Sequence, residues 1–226
     1  MKPVSIVNKL PIWKKLFLIF RILIKHPKRI KFLLGLNFSG FFLETGYFKS
    51  IEAGHPVDLE GNPIPWLSYS FLYFIDPRLN SKLRMFEYGS GNSTIYFAKR
   101  IKSITSVEHD PNWYKVVRSK VGGNAELHLL NLDETYVSQI QKTDSKFDLI
   151  LVDGRMRVKC IMESYKYLSE DGVIIVDDSQ REKYQEGLNF LLSNGFKKID
   201  FWGASPYWFN LKCTTILYKS SNCLNI

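Results

Sequence analysis

Cysteine is scarce in this chain. Cys160, Cys213 and Cys223 are its three among 226 residues, with no CxxC pair and no histidine at ligand spacing. That excludes a disulfide framework and a structural zinc site, and it fits a reducing cytosol, with Cys160 and Cys213 as buried free thiols. Low-complexity tracts and internal repeats are missing, so the composition is that of an ordinary globular protein. Long apolar runs are missing from the N-terminal segment too. Leu16–Phe20 is too short to cross a bilayer, and no small-residue cleavage site follows it, so a secretory signal is not expected.

Acid is scarce in one region only. Residues 1–50 carry ten Lys or Arg against Glu44 alone, a net +9 that equals the charge of the whole chain. The remainder is therefore neutral. A nucleic-acid enzyme would carry a basic stripe on its body as well, so that partner is not expected.

Basic and apolar residues are interleaved in this segment. At helical spacing Lys14, Arg21 and Lys25 share a narrow face, while Leu16, Phe17, Ile19, Phe20, Leu23 and Ile24 cover the other side. Pro27 should end or kink that helix before a second basic-apolar piece, Lys28–Leu36. Two readings stay open for residues 13–36: an amphipathic helix on an anionic membrane surface, or a helix packed on the domain or a second subunit in a homodimer. Residues 1–45 are taken as a basic amphipathic helical extension and 46–226 as the main domain.

Between Gly46 and Pro65, glycine and proline predict a loop, and Pro65 is expected to open a helix over Trp66–Ile75. Strand and helix then alternate. Strands are predicted at 82–88, 103–108, 126–130, 147–152 and 172–176, and helices at 93–102, 111–121, 135–141, 158–168 and 181–193. That rhythm predicts an α/β fold with a parallel sheet covered on both faces. The end departs from it: strands at 196–201 and 214–218 flank a stretch, 202–213, with no helical period. They are expected to be antiparallel neighbours, where a dinucleotide-binding sheet would have continued with another helix.

Phe86–Thr94 reads FEYGSGNST, at the end of the first main strand and the start of a helix. Glycines there let backbone approach a ligand. The third glycine of GxGxxG is absent, with Thr94 in its place, and Glu87 would repel a pyrophosphate yet suit a cofactor with a positive group. Glu108, at the end of the second strand, can accept both hydroxyls of a ribose. A cationic, phosphate-free, ribose-bearing cofactor suggests S-adenosylmethionine. The rival readings are a nicotinamide-dependent oxidoreductase and a non-catalytic module that binds S-adenosylmethionine without turnover.

EYGSGNST, with SVEHD, FDLILVDGR and GVIIVDDS after it, resembles the class I S-adenosylmethionine-dependent methyltransferases over residues 62–220. The resemblance implies a Rossmann-like methyltransferase fold, a mostly parallel seven-stranded sheet with an antiparallel last strand. By position, Glu87, Gly89, Ser90, Gly91 and Asn92 would line the methionine part of the cofactor and Glu108 would hold the ribose. His109 would lie beside the adenine, with Asn131 or Asp133 reaching its amino group.

Asp153 follows the fourth strand, and Asp177 and Asp178 follow the fifth, so all three should face the cleft at the sheet's carboxyl end. Methyl transfer needs alignment, and a hydroxyl acceptor also needs a base, for which Asp153 is the candidate, with Asp178 beside it. The alternative is that these acids anchor strand ends. They also resemble the acid set of metal-dependent O-methyltransferases, with Asp178 where an amide is usual, which implies Mg²⁺ or another divalent cation. Arg155, Arg157 and Lys159 could grip an anionic acceptor, and Trp202, Tyr207 and Trp208 could stack on a sugar or pack at the rim. Trp66 and Tyr69 are expected on a lid helix. The function expected is O-methylation of a small-molecule or glycan-like acceptor in the cytoplasm.

Overall fold

The computed structural model describes residues 11–143 and 145–226, so the first ten residues of the N-terminal extension lie outside it. Two helices come first, α1 (Ile12–Lys25) and α2 (Pro27–Gly35). Pro27 stands at the first helical position of α2, where its missing N–H costs nothing, and the break falls where the sequence predicts it. Neither helix buries a residue. Burial begins at Thr45, after the short α3 (Phe41–Glu44).

The stretch read as a loop after Gly46 contains α4 (Tyr47–Ala53), which corrects that expectation. Gly46 and Gly54 bracket it in the left-handed conformation, and Tyr47 and Ser50 anchor it in the core. The next helix, α5 (Tyr69–Ile75), starts three residues later than expected because Ser68 caps it, accepting a hydrogen bond from Phe71 N. Trp66 therefore lies in the preceding loop.

The alternating part follows in order: β1 (Arg84–Tyr88), α6 (Asn92–Ala98), β2 (Ser103–Glu108), α7 (Pro111–Arg118), β3 (Ala125–Leu129), α8 (Glu134–Ser138), β4 (Phe147–Val152), α9 (Arg157–Ser164), β5 (Leu168–Asp177) and α10 (Gln185–Ser193). The chain closes with β6 (Lys197–Ser205) and β7 (Trp208–Tyr218). The sheet order is β3-β2-β1-β4-β5-β7-β6, parallel except that β7 runs antiparallel to both β5 and β6. The hairpin is longer than the sequence suggests. Residues read as a loop at 202–213 are strand, and only Pro206-Tyr207 turns it. Polar and aromatic residues there hid the period of two, because residues 207–211 are all exposed and two of the buried positions beside them, Ser205 and Lys212, are polar.

Alternation along the strands divides the core. Met85, Leu149, Leu151, Val173, Ile175 and Ile216 point to one face, packed under α5 and α6 by Phe71, Ile75, Ile95 and Phe97. Phe86, Tyr88, Ile150, Val152, Ile174 and Val176 point to the other, against Tyr136, Ile161, Leu188 and Leu191. Burial on both faces is why FDLILV and GVIIV read as continuous apolar runs. Cys160 and Cys213 are buried and free, as expected. With β1 between β2 and β4, the chain reverses its direction of growth at the β1/β4 boundary, and a crevice opens there beyond the carboxyl ends of the strands.

Candidate active site

A cavity of about 700 Å³ occupies that crevice. The glycine turn Gly89–Gly91 forms its floor, with Glu108, His109 and Asp110 on one side and Asp153, Gly154 and Arg155 on the other. The outer wall comes from the loop Gly54–Pro56, from Trp66, and from Arg181, Lys183 and Tyr184.

The two glycines of the turn have different jobs. Gly89 has φ +97°, and a Cβ there would come within 2.6 Å of Gly154 Cα. Its lack of a side chain lets the loops after β1 and β4 touch, so packing alone already demands glycine here, while its main chain also lines the cavity. At Gly91 an added Cβ would meet nothing closer than the Trp113 indole nitrogen at 3.6 Å. Protein packing does not demand that glycine, which leaves the cavity side as its reason.

Trp113 is a wall residue that the sequence reading missed. Asp110 caps α7 by accepting hydrogen bonds from Asn112 N and Trp113 N at 2.8 and 3.0 Å. The cap sets the indole over the turn, where Nε1 donates to Ser90 O at 2.7 Å. The DPNW spacing after a strand-ending acid carried the signal: a capping Asp, a helix-opening Pro, then an aromatic one turn from the cleft.

Glu108 points into the cavity from the end of β2. Its Oε1 accepts main-chain N–H groups of His109 and Asp110 at 2.7 and 2.9 Å, and His109 Nδ1 lies 2.9 Å away. Oε2 accepts only a 3.2 Å bond from Ser90 Oγ, so it keeps acceptor capacity for a ligand diol. Asn92 also lines the cavity, and its Nδ2 ties the turn to Pro56 O at 2.8 Å.

Several expected residues do not reach the cavity. Glu87 is fully buried on the α6 face of the sheet, because it alternates with Phe86 and Tyr88 along β1. Ser93 Oγ, Thr94 Oγ1 and Ser106 Oγ donate to its carboxylate, and burial raises its pKa to about 7. It braces the turn from beneath and does not touch a ligand. Asp133 caps α8 through Thr135 N at 2.8 Å, and Asn131 is exposed; neither lines the cavity, so the expected adenine contact is corrected. Lys159 pairs at the surface with Glu134 at 2.5 Å. Tyr69 is buried beneath α3, stacked edge-on with Phe41 at 5.2 Å, and is no lid. Trp202 lies in a separate surface pocket with Phe41, Tyr73 and Gly203. Tyr207, at the hairpin turn, touches the cavity wall indirectly, edge-on to Trp66 at 5.7 Å, and Trp208 is exposed on β7.

The three aspartates do converge, but with cations already between them. Arg157 Nη2 lies 2.8 Å from Asp153 Oδ1, and its Nη1 donates to Asp177 O and lies 3.7 Å from Asp178 Oδ2. Lys212 Nζ lies 2.6 Å from Asp177 Oδ2 and 3.7 Å from Asp178 Oδ1, and donates to Trp66 O at 2.6 Å. Arg181 closes on Asp178 at 2.6 Å. Burial pulls Lys212 down, yet Asp177, Asp153 and Asp178 outweigh it and hold the ammonium above its ordinary pKa. Three acids are thus matched by three bases of the same chain. These residues do not fit a divalent cation, and no group of three or more His, Cys, Asp or Glu among the described residues could hold one. The expectation of a metal is corrected accordingly: Arg157 and Lys212, which sequence spacing could not bring together, fill the cation's role of neutralising the strand ends.

Asp178 takes φ 53°, a conformation that Asp tolerates better than most residues, and this turns its carboxylate back toward Arg181. Asp153 keeps about a fifth of its side chain open, 22%, and burial raises its pKa against the pull of Arg157 and Lys212. Asp153 meets the cavity from the β4 end together with two bases, Arg155 and Arg157.

Residues 86–179 match the family model of a methyltransferase domain. Solved structures share the fold. The O-methyltransferase TomG of Streptomyces achromogenes, in complex with S-adenosylmethionine, aligns over 85% of this chain and 96% of its own at 14% identity and a TM-score of 0.56. The precorrin-6y C5,15-methyltransferase of Geobacter metallireducens aligns over 66% and 88% at 18% identity and a TM-score of 0.53. An rRNA methylase of Streptococcus thermophilus aligns over 66% and 93% at 12% identity and a TM-score of 0.52. No curated protein matches the chain. Residues 86–179 therefore carry a methyltransferase domain, and the seven-stranded sheet around them has the Rossmann-like fold of S-adenosylmethionine-dependent methyltransferases. Those neighbours act on unlike acceptors, and at such identities the likeness lies in the fold.

Proposed function

We propose that the protein transfers a methyl group from S-adenosylmethionine to a hydroxyl oxygen of a small-molecule or glycan-like acceptor that also carries a negative charge. The observation behind this is that Asp153 and Arg155 line the same cavity as the Gly89–Gly91 turn and Glu108. The residues present fit the cofactor: an under-used carboxylate oxygen on Glu108 suits a ribose diol, and the open side of Gly91 admits close backbone contact. When bound, S-adenosylmethionine supplies an electrophilic methyl on a sulfonium.

The chain's own part is alignment, charge and a proton. Gly91, Ser90 and Asn92 hold the ligand against the turn, while Trp113 and Pro56 shut out water at its flanks. Asp153 accepts the proton of the attacking hydroxyl, and burial raises its basicity for that task. Arg157 fixes the Asp153 carboxylate from behind at 2.8 Å, and Arg155, exposed at the rim, meets the acceptor's anionic group.

The test is incubation with methyl-labelled S-adenosylmethionine and fractionated lysate, comparing wild type with Asp153→Asn. The reading expects label in a base-stable ether, lost with Asp153→Asn and unchanged by chelator. Label on nitrogen or carbon would contradict it. Cofactor binding without any transfer would favour the non-catalytic module.

A further inference from the structure

The apolar surface that the main domain leaves uncovered lies on the first two helices and on the tip of the β6–β7 hairpin. On α1, Trp13 and Phe20 are 64% and 61% exposed, and Leu16, Phe17, Leu23 and Ile24 beside them are open as well. On α2, Phe32 and Leu34 are 66% and 61% exposed. A monomeric domain rarely leaves so much apolar surface bare. The polar side of the same helices is wholly basic, with Lys14, Lys15, Arg21, Lys25, Lys28, Arg29 and Lys31, and no acid precedes Glu44.

A second apolar patch stands at the tip of the β6–β7 hairpin, where Phe209 and Leu211 are 71% and 65% exposed and Trp208 is half open. The two patches are linked. Phe209 packs on Phe42 and Tyr47 at 5.7 and 6.3 Å, in the segment that leads directly from α2. At the hairpin turn, Tyr207 meets Trp66, whose other side lines the cavity. The same cavity is lined by Arg155, Arg181 and Lys183.

We infer that α1, α2 and the tip of the β6–β7 hairpin form one docking face for an anionic lipid bilayer, and that the acceptor is drawn from that surface. Charge complementarity selects the occupant: a second copy of this segment brings more bases and no acid to match them, whereas anionic headgroups neutralise them. Apolar side chains below a basic flank, with Trp and Phe at the boundary, are what an interfacial element offers to the headgroup region. The attachment is peripheral, since no helix among the described residues is long and apolar enough to cross a membrane. The acceptor part rests on the proposed methyl transfer: a cavity rim beside the bilayer, lined by Arg155 and Lys183, meets an anionic, lipid-anchored acceptor at headgroup height.

The experiment is co-sedimentation of the full chain with phosphatidylcholine vesicles, with and without phosphatidylglycerol. Binding is expected to rise about tenfold or more with the anionic lipid and to fall with salt. Lys14→Glu with Arg21→Glu and Lys25→Glu should lower it about a hundredfold. Phe209→Ser with Leu211→Ser should lower it about tenfold while the melting temperature stays near wild type, and tryptophan emission of wild type should shift to the blue on binding. Equal binding to neutral vesicles, indifference to both sets of substitutions, or self-association that buries this face without vesicle binding would overturn the docking face. For the acceptor, label from S-adenosylmethionine should appear in the organic extract of a membrane fraction. Label confined to the water-soluble fraction would overturn a membrane source, and vesicle binding with no label anywhere would overturn the methyl-transfer reading instead.

Discussion

Lys212 and Asp177 form a buried ion pair across β7 and β5, with Nζ 2.6 Å from Oδ2 and the two side chains only 11% and 1% open to water. Asp178 and Arg157 complete the cluster. A charge that leaves water this completely must be matched, and here the match comes from the chain itself. Lys212→Met should therefore cost about 3–5 kcal/mol of stability in urea titration, because it strands the Asp177 carboxylate. Adding Asp177→Asn should recover most of that loss. Mg²⁺ and chelator should both leave the melting temperature of wild type unchanged, whereas a rise of several degrees with Mg²⁺ would contradict the assignment.

The glycine turn separates packing from ligand contact. Gly154→Ala would drive a Cβ to 2.1 Å from the Tyr136 hydroxyl oxygen, and Gly89→Ala would place one 2.6 Å from Gly154 Cα at a positive φ. Either should destabilise the fold by about 2–4 kcal/mol. Gly91→Ala meets only ordinary contacts and should melt near wild type, yet bind cofactor at least about tenfold more weakly. Melting curves and calorimetry on the three variants check the distinction.

Glu87 predicts a pH effect on stability. Burial raises its folded pKa to about 7 from an ordinary 4.5, so the folded state holds a proton that the unfolded chain releases. Stability from this group is full below pH 4.5, falls as pH rises toward 7, and then levels off, a loss of about 3 kcal/mol in all. Glu87→Gln keeps an acceptor for the surrounding hydroxyls and should flatten that slope, giving a variant more stable than wild type at pH 8. Denaturation at a series of pH values reads it directly.

Asp153→Asn should lower kcat by about 10²–10⁴-fold while cofactor affinity changes little. Single-turnover rates and calorimetry together measure this. A variant with kcat near wild type would remove Asp153 from the proton path.

Much of the architecture was legible in the residues. FDLILV and GVIIV could bury both faces only in a covered parallel sheet, and the ending without a helix announced the antiparallel hairpin. Glu108 and the glycine turn were readable because each sits where a strand ends and a helix begins. What stayed hidden depended on contacts far apart in the chain. Glu87 reads as a ligand-facing acid until Ser93, Thr94 and Ser106 are seen closing on it. Gly89 reads as a glycine set by a ligand, and the second demand on it, the close approach of Gly154, shows only in the fold. The aspartates read as metal ligands because nothing local tells that Lys212, on another strand, will stand among them. Residues 202–213 hid their strands because 207–211 are exposed in an unbroken run and the buried Ser205 and Lys212 are polar.

The most direct measurement is calorimetric titration of S-adenosylmethionine into wild type and Glu108→Ala. Saturable one-to-one binding is expected, weakened by about tenfold or more in Glu108→Ala through a lost charge-assisted hydrogen bond, with no heat from a nicotinamide dinucleotide. No binding to wild type, or equal affinity in Glu108→Ala, would contradict it.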